Sequence, residues 1–192
     1  MSDNVYAPPQ ADLRTPLGGT RPQFYVVSAG KFFALFVLSL GLYQVYWSYR
    51  NWRLYKASTG APVWPLMRGL FPIFFVHALY RHADDSLKAR GLDYPGRPMF
   101  WATAFVAVSL FSSLLDALVK RNIGYPLTDI ASLGFLFIQA LVVYKGQQLI
   151  NFAADDPVGY GNSRMQLLNY LCVVPGVLIW ALMLAGLFIE VD

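Results

Sequence analysis

His77, His82, Asp84 and Asp85 come closest, by type and spacing, to a reactive centre. His82 and Asp85 stand three apart, on one face of a helix, and an imidazole with a carboxylate there could hold a divalent cation. The neighbouring charges give a simpler account. Arg81 and Lys88 flank the acids at a water boundary and would pair with them, while His77 is five residues from His82 and so on a different face. No metal site is expected. Asp155-Asp156 precedes Pro157, and turn formation accounts for that pair. The chain has no His-Glu-x-x-His, no Gly-x-Ser-x-Gly and no glycine loop with a phosphate-binding lysine, so neither catalysis nor a cofactor is expected.

The elements that carry these residues are set by composition. Of 192 residues, 56% are hydrophobic and 14% charged, with a mean hydropathy of +0.43. Soluble domains carry roughly a quarter charged residues, so the apolar segments point to a bilayer. The single cysteine, Cys172, excludes an intrachain disulfide and a Cys-based zinc site within one chain, and is read as an apolar filler. An all-α, polytopic membrane fold is expected.

Four stretches approach the ~20 residues that cross ~30 Å of hydrocarbon: Lys31 to Tyr49, Pro98 to Val119, Leu127 to Tyr144 and Leu167 to Ile189. Pro98 and Pro126 open the second and third, and Asn162 or Ser163 could cap the fourth. Tyr43, Tyr46, Trp47, Tyr49, Trp52 and Tyr55 crowd the exit of the first, as an interfacial aromatic belt would. Pro62 to Tyr80 is broken by Pro65, Arg68, Gly69 and Pro72, and is expected to lie in the interface or to dip in and return, five spans being the alternative. Within the spans, Asp116 is expected to pair with Lys120 one turn on, Gln44 and Gln139 could bond between helices, and Gly41, Gly134, Gly176 and Gly186 permit close approach. Ser39-Leu40-Gly41-Leu42 leading to Asn51 is echoed by Ser132-Leu133-Gly134-Phe135 leading to Asn151.

Residues 1–23 hold Pro8, Pro9, Pro16 and Pro22 with few large apolar side chains, and form a disordered tail ahead of one membrane domain, 24–192. The first apolar run starts at Phe24 without a signal-peptide pattern, so the first span is expected to be retained. Four crossings place ten basic residues on one side against five, and five crossings place nine against six. Both put the C-terminus, with Glu190 and Asp192, outside. Arg50 to Arg97 carries eight basic and three acidic residues, so Arg50, Arg53, Arg68 and Arg81 are candidates for anionic lipid headgroups. A net charge of +4 is ordinary for such loops, and nucleic acid is not an expected partner.

Gly41-Leu42-Tyr43-Gln44-Val45-Tyr46-Trp47 with Tyr49-Arg50-Asn51, then Arg68-Gly69-Leu70-Phe71, Phe74-Phe75 and Gln148-Leu149-Ile150-Asn151, resembles an uncharacterised family of bacterial multi-pass inner-membrane proteins. Asn4-Val5-Tyr6-Ala7-Pro8-Pro9 resembles the Asn-Pro-Tyr-x-Pro-Pro tail that precedes many bacterial membrane domains, with Val5 at the first proline. The resemblance implies a bacterial inner membrane and no particular chemistry. The expected function is a non-enzymatic membrane component that meets a protein partner through Tyr6, Pro8 and Pro9. The alternative is a carrier of a lipid or amphiphile at the cytoplasmic leaflet, with Arg68 on an anionic headgroup.

Overall fold

Apolar runs punctuated by proline and glycine give seven α-helices among the described residues, 22–186 of a computed structural model. They are α1 (Ala29–Leu38), α2 (Tyr43–Thr59), α3 (Pro65–Leu70), α4 (Pro72–Lys88), α5 (Pro98–Val119), α6 (Leu127–Ala153) and α7 (Leu167–Gly186). No strand occurs among the described residues. Tyr6, Pro8 and Pro9 of the expected partner-binding tail, and Glu190 and Asp192, lie outside them.

The stretch from Lys31 to Tyr49 is not one helix. α1 has 10 residues, about 15 Å at the helical rise, and ends where Gly41 N–H donates to Phe36 O (2.9 Å) and Tyr43 N–H donates to the Ser39 hydroxyl (2.9 Å). Leu40 and Gly41 both have positive φ, 52° and 85°, which reverses the chain. α1 therefore runs down α6 and α2 runs back up. Phe33 stacks near Tyr144 with ring centres 4.8 Å apart, and Gly41 lies beside Leu136. On the return, Gln139 Nε2 donates to Gln44 Oε1 (2.8 Å), and Trp47 Nε1 donates to Gln147 Oε1.

The broken segment is broken as its prolines require. α3 stops at Leu70, and Pro72, which has no N–H to extend that helix, opens α4 instead. Gly69 lies against the backbone of Tyr49 and brings α3 onto α2. α4 then climbs parallel to α6, with Tyr80 against Gly146 and Arg90 bonded to the Ala153 carbonyl (2.7 Å) and to Asp155 (2.6 Å).

α5 and α6 form an antiparallel hairpin: Phe111 stacks on Phe135 with ring centres 4.6 Å apart, and Ser132 Oγ donates to Asp116 Oδ1 (2.9 Å). Asp116 is thus held by Ser132, not by Lys120 as its spacing suggested, because the α6 hydroxyl faces it across the hairpin. Both helices are long and apolar enough to cross a membrane, and only 17% of each apolar window is buried in the protein. A soluble core helix would be covered; these present Leu110, Phe111, Leu114, Ile130, Phe137 and Leu141 outward. α7 descends beside α1, close enough at Gly176 that a side chain there would overlap the Leu38 carbonyl, and Trp180 Nε1 donates to Val37 O (3.0 Å).

The interior divides along the length of α6. Its second half, with α2, α4 and the segment before α1, encloses Phe24, Trp47, Trp52, Leu79, Tyr80 and Ile150. Trp47 and Trp52 are fully buried and Tyr43 nearly so, so these three are core residues, not the expected belt; Tyr46 remains exposed. Their rings meet side chains from other elements instead of headgroups, the Trp52 indole packing edge-on to His82 of α4 (5.9 Å).

Candidate ligand cavity

Two polar constructions lie in this largely apolar protein. The first is a set of buried amides that holds the extended segment Phe24 to Ser28. Tyr25 N–H donates to Asn51 Oδ1 (3.0 Å), and Val27 N–H donates to Asn151 Oδ1 (3.2 Å). In return, Asn151 Nδ2 donates to Val27 O (2.9 Å), Gln147 Nε2 to Tyr25 O (2.9 Å) and Asn162 Nδ2 to Val26 O (2.9 Å). Asn51, Gln147 and Asn151 are wholly buried, so their bonds replace water that the backbone has lost. Asn162, expected as a helix cap, serves here, and it also accepts from Lys31 Nζ (2.6 Å). Asp156 shapes the loop beside it, accepting from the N–H groups of Gly159, Tyr160 and Gly161 (2.9, 3.0 and 2.7 Å). Gly159, at φ 78°, presses on the Val27 carbonyl where a side chain would not fit. The chain therefore enters α1 at the end of the molecule where α6 finishes.

The second is a cavity of about 980 Å3 between the turn at Gly41, α5, α6 and α7. From α5 it is lined by Ser109, Ser112, Ser113 and Asp116, spaced so that one helical face carries all four. From α6 it is lined by Asp129, Ser132 and Gln139, again along one face, with Leu133 and Leu136 between them. Gln44 and Trp180 contribute from α2 and α7. Ser109 Oγ is buried and without a hydrogen-bond partner. Apolar walls with a few convergent polar groups are what a small amphiphile requires.

The sequence-selected arginines stand elsewhere. Arg53 and Arg81 are exposed, whereas Arg50 is half-buried over the Tyr25 ring (5.5 Å). Arg68 is half-buried, 4.2 Å from the centre of the Trp52 ring and 5.0 Å from that of Phe75, so its guanidinium rests on aromatic faces and does not line the cavity. All four sit towards the end where α6 finishes. Lys120 and Arg121, by contrast, follow α5 at the opposite end.

His82 stacks on Tyr55 with ring centres 4.4 Å apart, and its Nδ1 lies 3.2 Å from the Tyr55 hydroxyl. Asp84 pairs with Lys88 (2.7 Å). His77 reaches Thr103 on α5 (3.2 Å). These residues face different neighbours, and no group of three His, Cys, Asp or Glu suited to a metal ion occurs among the described residues. Burial lowers the His82 pKa, with Arg68 and Arg81 acting in the same direction and Asp85 against it. The fold therefore favours neutral His82, a contribution present above the ordinary value near 6.5 and lost as pH falls through the lower folded value. Melting curves from pH 7.5 to 5 should show a loss of stability that His82→Gln flattens; an unchanged profile in the variant would remove His82 from the cause.

Comparison with known proteins returns no matching family model, no matching curated relative and no matching solved structure.

Proposed function

We propose that the protein is a non-enzymatic, multi-pass membrane protein that binds an amphiphile in the cavity between α2, α5, α6 and α7. The observation that carries this is the cavity itself, lined by polar residues of α5 and α6 among leucines, and set among helices whose outward faces are apolar. Polar residues at membrane depth are costly and tend to serve a ligand or a pathway.

The topology belongs to the same proposal. A reversal at Ser39 to Leu42 returns α2 to the end from which α1 came, and α3 with α4 also rises to that end, which leaves α5, α6 and α7 as crossings. Three crossings with two dips replace the four expected from hydropathy. The count of basic residues favours this arrangement. Among the described residues, Lys120 and Arg121 are the basic residues at the far end, and the others, from Lys31 to Arg164, gather at the end where α6 finishes. The basic end is then cytoplasmic, in a bacterial inner membrane as the Gly41 to Asn51 motif implies, and the C-terminal end is outside. Arg53 and Arg81, the exposed pair of the four candidates, meet anionic headgroups on the cytoplasmic leaflet, while Arg50 and Arg68 rest on aromatic rings. A protein partner meeting Tyr6, Pro8 and Pro9 is a second reading, favoured by the amide bonds that fix where the preceding chain must emerge.

Native mass spectrometry of protein extracted in its own lipids tests the binding. One retained amphiphile per chain is expected, and Ser112→Phe, which fills the cavity from α5, should remove it. Equal retention by the variant would sink the proposal.

A further inference from the structure

The cavity described above has a charge, and the charge selects a ligand. Its wall carries Asp116 and Asp129, and no lysine, arginine or histidine lines it. Asp116 is three residues from the end of α5 and Asp129 is in the first turn of α6, so both lie towards the end opposite the basic residues. Two carboxylates at one apolar-walled cavity repel each other and lack a cationic partner among the residues that line it. The Ser132 hydroxyl satisfies one oxygen of Asp116 and adds no charge.

Two further features point the same way. Trp180 forms part of the wall, and an indole is the best aromatic partner for an ammonium group. Ser109, on the same α5 face, has a hydroxyl with no hydrogen-bond partner in the protein. Leucine side chains complete the wall, which suits an attached hydrocarbon and not a bare hydrated ion.

We infer that the cavity takes an amphiphile with an ammonium headgroup, admitted from the leaflet opposite the basic end. The inference rests on the amphiphile-binding reading and adds the headgroup class. Asp116 and Asp129 hold the cation, Trp180 faces it, and the leucines take the chain.

The test uses the full chain in zwitterionic lipid nanodiscs with three radiolabelled probes of one chain length: hexadecyltrimethylammonium, hexadecyl sulfate and hexadecanol. The ammonium probe should be retained about tenfold more tightly than the alcohol, as expected for two carboxylates that line one cavity and are themselves exposed, and the sulfate least. Asp116→Asn combined with Asp129→Asn should abolish that preference, and an unchanged thermal unfolding transition shows that the variant is folded. An ammonium probe held no better than the alcohol would overturn the headgroup assignment alone. If no probe is retained above empty nanodiscs, amphiphile binding fails with it.

Discussion

Asn151→Leu should lower the melting temperature by about 6–12 °C, the shift that about 3 kcal/mol produces in a chain of this size. The substitution keeps the number and branching of side-chain heavy atoms and removes a carboxamide that accepts from Val27 N–H and from Gln147 Nε2 (2.6 Å) and donates to Val27 O. Asn151 is wholly buried, so no water replaces what is lost. Each buried group left without a partner costs about 1–3 kcal/mol, and two of the three belong to the backbone of a segment that α1 depends on for its position. Asn162→Leu removes a single bond at a half-buried site and should cost about 1 kcal/mol. Thermal unfolding in nanodiscs measures both. If the Asn151 variant melts within about 2 °C of the natural chain, the amides do not hold the segment.

Gly146→Ala should be the other severe change, although it adds one methyl group. A Cβ at position 146 would overlap the hydroxyl and ring of Tyr80, which is wholly buried and has nowhere to move. Overpacking of this kind costs about 1–3 kcal/mol, and the contact it disturbs joins α4 to α6. Tyr80→Leu frees that space, so Gly146→Ala placed on Tyr80→Leu should cost much less than it does alone. Such coupling is what a double-mutant cycle reads in residues that touch. Additive losses would mean that the two helices are not packed through this pair.

Much of the helical framework is legible in the residues. Pro98 and Val119 bound α5 where hydropathy places them, α6 begins at Leu127, and Pro72 divides α3 from α4 inside the stretch that reads as broken. The reversal after α1 is hidden because Ser39, Leu40, Gly41 and Leu42 are apolar or small enough to pass as membrane helix in an averaged count. Only the left-handed backbone at Leu40 and Gly41 turns the chain. α6 outruns its apolar stretch, to Ala153, because its last turns are buried against α2, α4 and the segment before α1.

The cavity and the amides both have traces in the sequence. Ser109, Ser112, Ser113 and Asp116 are spaced by three or four, as are Asp129, Ser132 and Gln139 if Leu136 is included, and two polar stripes on apolar helices are the mark of facing walls. Asn51 and Asn151, which end the two halves of the internal echo, are both buried and both bond to Phe24 to Ser28 from parallel helices. Whether a guanidinium reaches a headgroup or lies on Trp52, as Arg68 does, depends on a contact across 16 residues that no local pattern encodes.

In the proposed topology the chain from Phe24 to Thr59 enters the membrane and returns, so that it crosses three times and not four. Single cysteines at Pro22, Ser58 and Ile123, each in a Cys172→Ala background, can be treated with a membrane-impermeant maleimide in intact spheroplasts and after permeabilisation. Positions 22 and 58 should be labelled only after permeabilisation, while position 123 should be labelled from outside. Labelling of 22 and 58 from opposite sides would contradict that topology.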